Sequence, residues 1–531
     1  METRSAKRKK LLHQKAQAAA ASSTPNNPVQ IQDRISDLPD DILHQILSFL
    51  PIQSVARTGV VSRRWRNVWH SFPNLDFTNG ANAIANTMSP FVRKPKMSGM
   101  ERSCFHRVSD YVDQIIGLLE KHSGVLSVLK IRFVTSFSGL NSLIRGAVRH
   151  HVQELDVEVS TFDYFNFPRC VLNCETLRVF RLKSFYPGFR LPPVEIMKQG
   201  FRALCTLSLS GPFLRDQPSV LDLFTDSSFP SLKNLNLDAC SGLKNLRIKC
   251  PCLEDLSIDG CHHMQYLEIS VRKLQRLRVT RSFAHTSVTR VKIDAPMLAS
   301  ILWSGNIVTD ESVLRNLTSL RKARVEFFIR QGYQNPEKIK SALNFLSGIS
   351  HCHQYLTLDS QCIDVLSRTN RFAGNSFSPF HKLGSLELFM AGFHKQNIPG
   401  MAKIVKNSPN IHTFIITIRG PRYPEERLRN VDDLSETWSF EEEMKYWESQ
   451  TQCFESLAHR LKAVKIYGFV EYALELSFVK FMLKHGKVLR QVFLHNSSVS
   501  SKQMPMLVRE NFRSQILCFS KASPNVSIVF Q

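Results

Sequence analysis

The chain has 531 residues, 43% of them hydrophobic and 21% charged, with a formal net charge of +24. That balance excludes a disordered chain, and the length calls for more than one domain. No apolar run approaches the 18 or so residues of a membrane span and no secretory core follows the first basic residues, so neither a membrane protein nor a secreted one is expected.

Twelve cysteines without regular close spacing fit the reduced thiols of an intracellular protein. The positive charge raises the question of nucleic acid. Residues 1–32 carry six Lys/Arg against one Glu, and residues 33–76 carry five Arg against five Asp. The remaining charge is diffuse, with no basic stripe interleaved with aromatics, so nucleic acid is not the expected partner. A basic surface still favours acidic partners or anionic ligands.

Residues 1–32 read as a disordered basic tail, Ala-rich and then Ser/Pro/Asn-rich. Its "KRKK", Lys7, Arg8, Lys9 and Lys10, is a candidate nuclear import signal beside the plainer reading as solvated charge. An organelle transit peptide is the weaker alternative.

"SDLPDDILHQILSFLP", residues 36–51, has a helical pattern. Asp37 is placed to cap, Pro39 suits the first turn, Asp40 falls near a capping-box spacing, and Pro51 ends the run. On a wheel of about 100° per residue, Ile42, Leu43, Ile46, Leu47, Phe49 and Leu50 cover an arc of roughly 160°. A surface helix needs little more than about 100°. A second pattern follows, with Val61, Trp65, Val68 and Trp69 at helical spacing. Either the two segments form a hairpin buried against the rest of the chain, or the surplus apolar surface docks on another protein.

The stretch "DRISDLPDDILHQILSFLPIQSVARTGVVSRRWRNVWHSFPNLDF", residues 33–77, resembles an F-box, closely that of plant F-box/leucine-rich-repeat proteins, and the F-box domain is read as 33–76. The Leu38–Pro39 pair, the Ile-Leu-x-x-Ile-Leu helix, Leu50–Pro51 and Val-Ser-x-x-Trp at 61–65 carry the likeness. The resemblance implies a Skp-type adaptor as partner and, through it, a cullin. The candidate adaptor surface, or its immediate support, is Leu38, Pro39, Ile42, Leu43, Ile46, Leu50, Pro51 and Trp65. Sequence does not divide those that contact the partner from those that pack inside.

Residues 77–105 read as a linker. A helix is predicted in "VSDYVDQIIGLLEKH", with Tyr111, Ile115, Leu118 and Leu119 on one face. One template, apolar-x-x-apolar-x-apolar, then recurs thirteen times, from "LSVLKI" at 126 to "LRQVFL" at 489. Early copies start about 25 to 28 residues apart; between 232 and 274 every second copy falls 21 apart with another midway. Recurrence on this scale marks a solenoid, with the midway copies as short strands on the return side of each coil. "LKNLNLDAC" and "LEDLSIDGC" put Cys240 and Cys261 at the inward Asn/Cys position of a leucine-rich repeat.

The likeness to plant F-box proteins extends through "LIRGAVRHHVQELDVEV" and "LNCETLRVFRLKSF" to an FBD-like end at 451–531, and is weakest across 77–105 and 327–380. The expected fold is α/β: a short N-terminal helical F-box, then a leucine-rich-repeat solenoid over 106–420, a curved parallel sheet with helices and loops outside. Residues 421–450 read as an exposed acidic insertion with one amphipathic helix.

Cys250 and Cys252, Cys261 with His262 and His263, and "HCH" at 351–353 lack the two-to-four-residue separation of zinc ligand pairs, so no metal is expected. No phosphate loop, G-x-S-x-G elbow or H-E-x-x-H is present in the sequence, and a non-catalytic protein is expected. The resemblance implies the substrate-recognition subunit of an SCF-type ubiquitin ligase, with an unknown protein substrate, in the nucleus and/or cytoplasm. Residues between inward leucines face solvent. By that geometry the candidate substrate contacts are Lys233, Asn234 and Asn236, then Glu254, Asp255 and Ser257, then Gln275, Arg276 and Arg278. No cofactor is expected, although the resemblance leaves an inositol phosphate open. The competing reading is a ligase-independent repeat scaffold or a nucleic-acid-associated protein.

Overall fold

The computed structural model describes residues 35, 37–78, 99–161, 164–185, 187–214, 223–283, 288–328, 336–368, 378–390, 397–418, 440–469, 473–496 and 506–531. The basic tail with Lys7 to Lys10 lies outside the described residues. The chain divides into two compact units, 1–69 and 70–531.

In the first unit three short helices follow one another: Asp40–Leu47 (α1), Ile52–Thr58 (α2) and Arg63–His70 (α3), the last crossing into the second unit. Pro39, not Asp37, holds the capping position of α1, and no side chain caps it. The residue before a proline is pushed out of helical conformation, so Leu38 cannot join and the helix opens one residue after Pro39. Nor does α1 run to Pro51. Beyond Leu47 the backbone tightens into three-residue turns, with Phe49 N donating to Ile46 O and Leu50 N to Leu47 O. Leu50 precedes Pro51, which caps α2 instead. Val61 also departs from expectation: it precedes α3 and is exposed.

In the second unit sixteen parallel strands of the described residues form one sheet, ordered as in the chain. The first five are Asn74–Asp76 (β1), Val128–Val134 (β2), Glu154–Ser160 (β3), Val179–Ser184 (β4) and Thr206–Ser210 (β5). Then come Asn234–Asp238 (β6), Asp255–Asp259 (β7), Arg276–Thr280 (β8), Ser300–Ile307 (β9) and Lys322–Phe328 (β10). Tyr355–Asp359 (β11), Ser385–Met390 (β12), Thr413–Ile418 (β13), Ala463–Phe469 (β14), Gln491–Asn496 (β15) and Ser527–Phe530 (β16) complete it. The sheet therefore begins before the segment read as a linker and continues unbroken through the FBD-like end.

Alternate residues point inward, as a strand requires. Leu155, Phe180, Leu207, Leu235, Leu256, Leu277, Ile301 and Ala323 are successive cross-strand partners, all buried. Parallel neighbours need a crossover, and repeat length decides its form. Where repeats are long the return is a helix, as in Phe137–Arg149 (α5), which follows Gly99–Lys121 (α4). Where they shorten to 21–24 residues the return is a strand instead. There Asn245–Ile248, Tyr266–Ser270, Arg290–Asp294 and Glu311–Arg315 make a second parallel sheet, which holds the three midway template copies.

Two predicted features change. α4 starts inside the stretch read as a linker, and its buried face is Val112, Ile115 and Leu119. Of the acidic stretch, 421–439 lies outside the described residues, but the helix Phe440–Ser449 is no exposed appendage. Its Trp447 is fully buried against Phe454, Phe478 and Phe481.

Candidate functional site

The helical unit fills its interior with few residues: Leu43 and Leu47 of α1, Ile52 and Val55 of α2 and Val68 of α3. His44 Nε2 lies 3.1 Å from Val68 O, and Arg64 donates to Leu38 O and lies 3.2 Å from Asp40. These contacts fix the first turn of α1 on α3. Ile42 and Ile46, one turn apart, stay exposed, as do Leu50 and Pro51. Phe49 is 85% exposed, Val60 84% and Val61 75%. The wide apolar arc thus splits into a small core and a larger outward surface, of the kind that marks contact between molecules.

The eight candidate adaptor residues divide accordingly. Leu43 is buried and can only support; Leu38 and Trp65 are half-buried; Pro39, Ile42, Ile46, Leu50 and Pro51 are exposed. Phe49, Val60 and Val61 extend the outward surface beyond those eight. The signal for Val60 is its place in a Gly-Val-Val run between two helical patterns, where helical periodicity has no use for it; Val61 falls in the second pattern but lies outside the helix.

On the second unit the nine candidate substrate contacts form a three-by-three array. Asn234, Asp255 and Arg276 are successive partners across β6, β7 and β8, and so are Asn236, Ser257 and Arg278. Lys233, Glu254 and Gln275 stand immediately before these strands, and none of the nine is buried. Arg276 grips both oxygens of Asp255, while Asn234 and Asn236 donate to Thr206 and Ser208 at 3.1 and 3.0 Å.

The face continues on both sides of that array. Toward the N-terminus it carries Arg132–Glu158 at 2.9 Å, Arg181–Glu154 at 2.8 Å and Lys183–Glu158 at 3.2 Å. Toward the C-terminus Glu387 accepts from Tyr355 at 2.8 Å, Thr357 at 3.2 Å and Thr417 at 2.9 Å. Burial and the Glu387 carboxylate push the Tyr355 phenol up. Burial works against ionised Asp259, but donors from Arg281 and Thr280 outweigh it and hold the carboxyl below its usual range.

Comparison with known proteins fits both units. The F-box domain family matches residues 35–77, and the family described as "At1g61320/AtMIF1, LRR domain" matches residues 118–288. The putative F-box/FBD/LRR-repeat protein At4g03220 of Arabidopsis thaliana is 38% identical over 504 residues, covering 94% of this chain and 95% of its own. The chain belongs to the F-box/FBD/LRR-repeat family. Other Arabidopsis thaliana relatives are more distant. F-box/FBD/LRR-repeat protein At5g22660 is 23% identical, covering 93% of this chain and 96% of its own. F-box/LRR-repeat protein At4g14103 is 25% identical, covering 72% and 91%. F-box/LRR proteins are generally non-catalytic adaptors, and F-box domains typically bind Skp-type subunits.

In this F-box/FBD/LRR-repeat protein six of the ten described cysteines are buried, while Cys518 is exposed. Cys250 donates toward Thr225 O at 3.8 Å, and its thiol is pushed up to about 12 chiefly by burial. Cys261 donates toward Asp259 O at 3.5 Å and Leu237 O at 3.9 Å, while His262 and His263 are exposed. Among the described residues no three His, Cys, Asp or Glu converge as metal ligands, and no helix is long and apolar enough to cross a membrane.

Proposed function

We propose that this protein is the substrate-recognition subunit of an SCF-type ubiquitin ligase. The observation that carries the reading is the apolar surface of Ile42, Ile46, Phe49, Val60 and Val61, left outside a helical core that is already filled. A Skp-type adaptor, and through it a cullin, would cover that surface. The repeat sheet, with its polar outward rows, would hold a protein client. The contribution is positional: a client held near a ubiquitin-loaded conjugating enzyme reacts at raised effective concentration, with no bond chemistry by this chain. In this reading it works in the nucleus or cytoplasm.

The test is co-purification of the full chain with a Skp-type adaptor. Ile46→Asp with Phe49→Asp places two charges on the outward face and none in the core. Binding is expected to weaken about 100-fold or more, as for centrally placed apolar contacts. Thermal melting of the repeat unit should not change. Undiminished adaptor binding by the double variant would remove the basis of the reading.

A further inference from the structure

Six consecutive strands, β10 to β15, begin along one edge of the sheet, and the segments that lead into them read LRK (320–322), SHCHQ (350–354), FHKLG (380–384), NIHT (410–413), HRLK (459–462) and KVLR (487–490). Every one holds Lys, Arg or His; none holds Asp or Glu. Among earlier strands the run is broken: CETLR (174–178) and CLED (252–255) contain their own acids, between and beside acid-free segments such as SLKN (231–234) and KLQR (273–276). Backbone bonds fix the alignment, with Gln354 N donating to Arg321 O, Ala463 N to His412 O and Gln491 N to Lys462 O.

A second observation sets these cations apart. On the outward face of earlier strands several basic groups are matched, as Arg132 with Glu158, Arg181 with Glu154, Arg276 with Asp255 and Arg281 with Asp259, although Arg278 is not. Along this edge, among the described residues, no carboxylate oxygen lies within 4.0 Å of any of the seven Lys and Arg side chains. All seven are exposed. Some are crowded by further basic or neutral groups instead: Lys487 Nζ lies 3.4 Å from His459 Nε2, and Arg460 reaches Asn410 Oδ1. Charge without compensation repels itself, and an anionic partner relieves that repulsion.

We propose that this edge is a docking rim for an acidic segment of a client protein. The proposal deepens the substrate-receptor reading, on which it rests, by giving the chemical class of the client. Six strands at about 4.8 Å spacing span roughly 24 Å, the length of about seven extended residues. A polypeptide suits the rim better than a nucleic-acid strand. The six segments expose imidazoles but no Phe, Tyr or Trp on which bases could stack, since Phe380 is buried and Tyr355, at the head of β11, donates its hydroxyl to Glu387.

The test is fluorescence anisotropy of a labelled eight-residue poly-glutamate peptide against the full chain co-purified with its adaptor. Binding is expected to weaken as salt rises from about 0.05 to 0.3 M, because exposed charges are screened. The triple variant Arg460→Glu, Lys462→Glu, Arg490→Glu should bind at least about tenfold more weakly. Reversal of three exposed lysines on the second sheet (Lys244→Glu, Lys249→Glu, Lys292→Glu) should leave affinity within about twofold. No binding by the natural chain, equal loss in the two triple variants, or tighter binding of a single-stranded DNA octamer would each overturn the proposal. Adaptor retention is read on the same samples and depends on the helical unit. Failure of the rim with the adaptor still bound is therefore distinct from failure of the ligase reading.

Discussion

Cys240, Cys261, Ser282 and Asn306 stand at one position of successive repeats, each directly after a residue of positive φ: Ala239, Gly260, Arg281 and Gly305. The chain turns inward there, and its backbone groups need partners. Asn306 supplies the most. Its Oδ1 accepts from Ser282 N at 2.8 Å and Phe283 N at 3.3 Å, and its Nδ2 donates to Val279 O at 2.8 Å. Asn306→Ala leaves these buried groups unpaired and should cost about 3 kcal/mol, measurable by urea unfolding. A change under about 1 kcal/mol would show that the turn is satisfied some other way. Glycine at these turns is unevenly demanding. A Cβ on Gly211, at φ 84°, would meet Ser184 O at 2.2 Å, whereas on Gly260, at φ 62°, it would meet nothing nearer than 3.6 Å. Gly211→Ala should therefore cost about 3 kcal/mol or more, against about 1 for Gly260→Ala, in the same unfolding assay. The inward cysteines were legible because "LDAC" and "IDGC" repeat the same spacing. Ser282 and Asn306 continue the column with different chemistry and were not.

At the scale of elements, the repeat template finds most strands whose inward positions are Leu, Ile or Val, and one that carries Phe180. It falls short where other residues take those positions. Trp303, Ala323 and Phe414 fill inward positions of β9, β10 and β13, and His353 replaces the first apolar residue before β11. The template does not reach those segments, nor the outward groups Arg324 and Tyr355 on them, whereas Glu387 lies in "LGSLEL", one of its thirteen copies. The acidic stretch misled for a different reason. Charge outnumbers apolar residues in "FEEEMKYWES", so one buried Trp447 was outvoted. That helix is also tied by Glu448, which lies 2.7 Å from Lys484 and 3.0 Å from His485 of the helix Ala473–His485. Burial opposes the charge of Glu448, but these donors outweigh it and lower the carboxyl below its ordinary 4.5. A depressed acid stabilises the folded state above its unfolded pKa, and that contribution is lost as pH falls through the folded value. The melting advantage of the natural chain over Glu448→Gln should hold at pH 7 and fade in acid, below the ordinary carboxylate value, as pH falls through the lowered one, amounting to about 1 kcal/mol at most because the pair is partly solvated. An advantage that persisted in acid would assign it to packing instead.

For the whole molecule the decisive boundary lies between the helices and the sheet. The F-box match runs to residue 77, yet Asn74–Asp76 is the first strand of the repeat sheet, with Leu75 opposite Leu129 and Phe77 N donating to Lys130 O. Phe72, Leu75 and Phe77 are all buried. A sequence reading that ends the F-box module at residue 76 therefore takes the end strand away from the repeat body. The consequence can be measured. A chain of residues 70–531 keeps β1, which pairs with Val128, Leu129 and Lys130 of β2, whereas a chain of residues 79–531 leaves that side of β2, a strand rich in Val, Leu, Ile and Phe, wholly without a partner. An unpaired apolar edge pairs with another molecule. The 70–531 chain should elute as a monodisperse monomer in size exclusion with light scattering, and the 79–531 chain as dimers or aggregates. Equal behaviour of the two would show that β1 covers nothing the sheet needs. Neither form should retain a Skp-type adaptor, since both lack α1. Loss of the adaptor with the sheet intact is what separates a docking module from the body it carries.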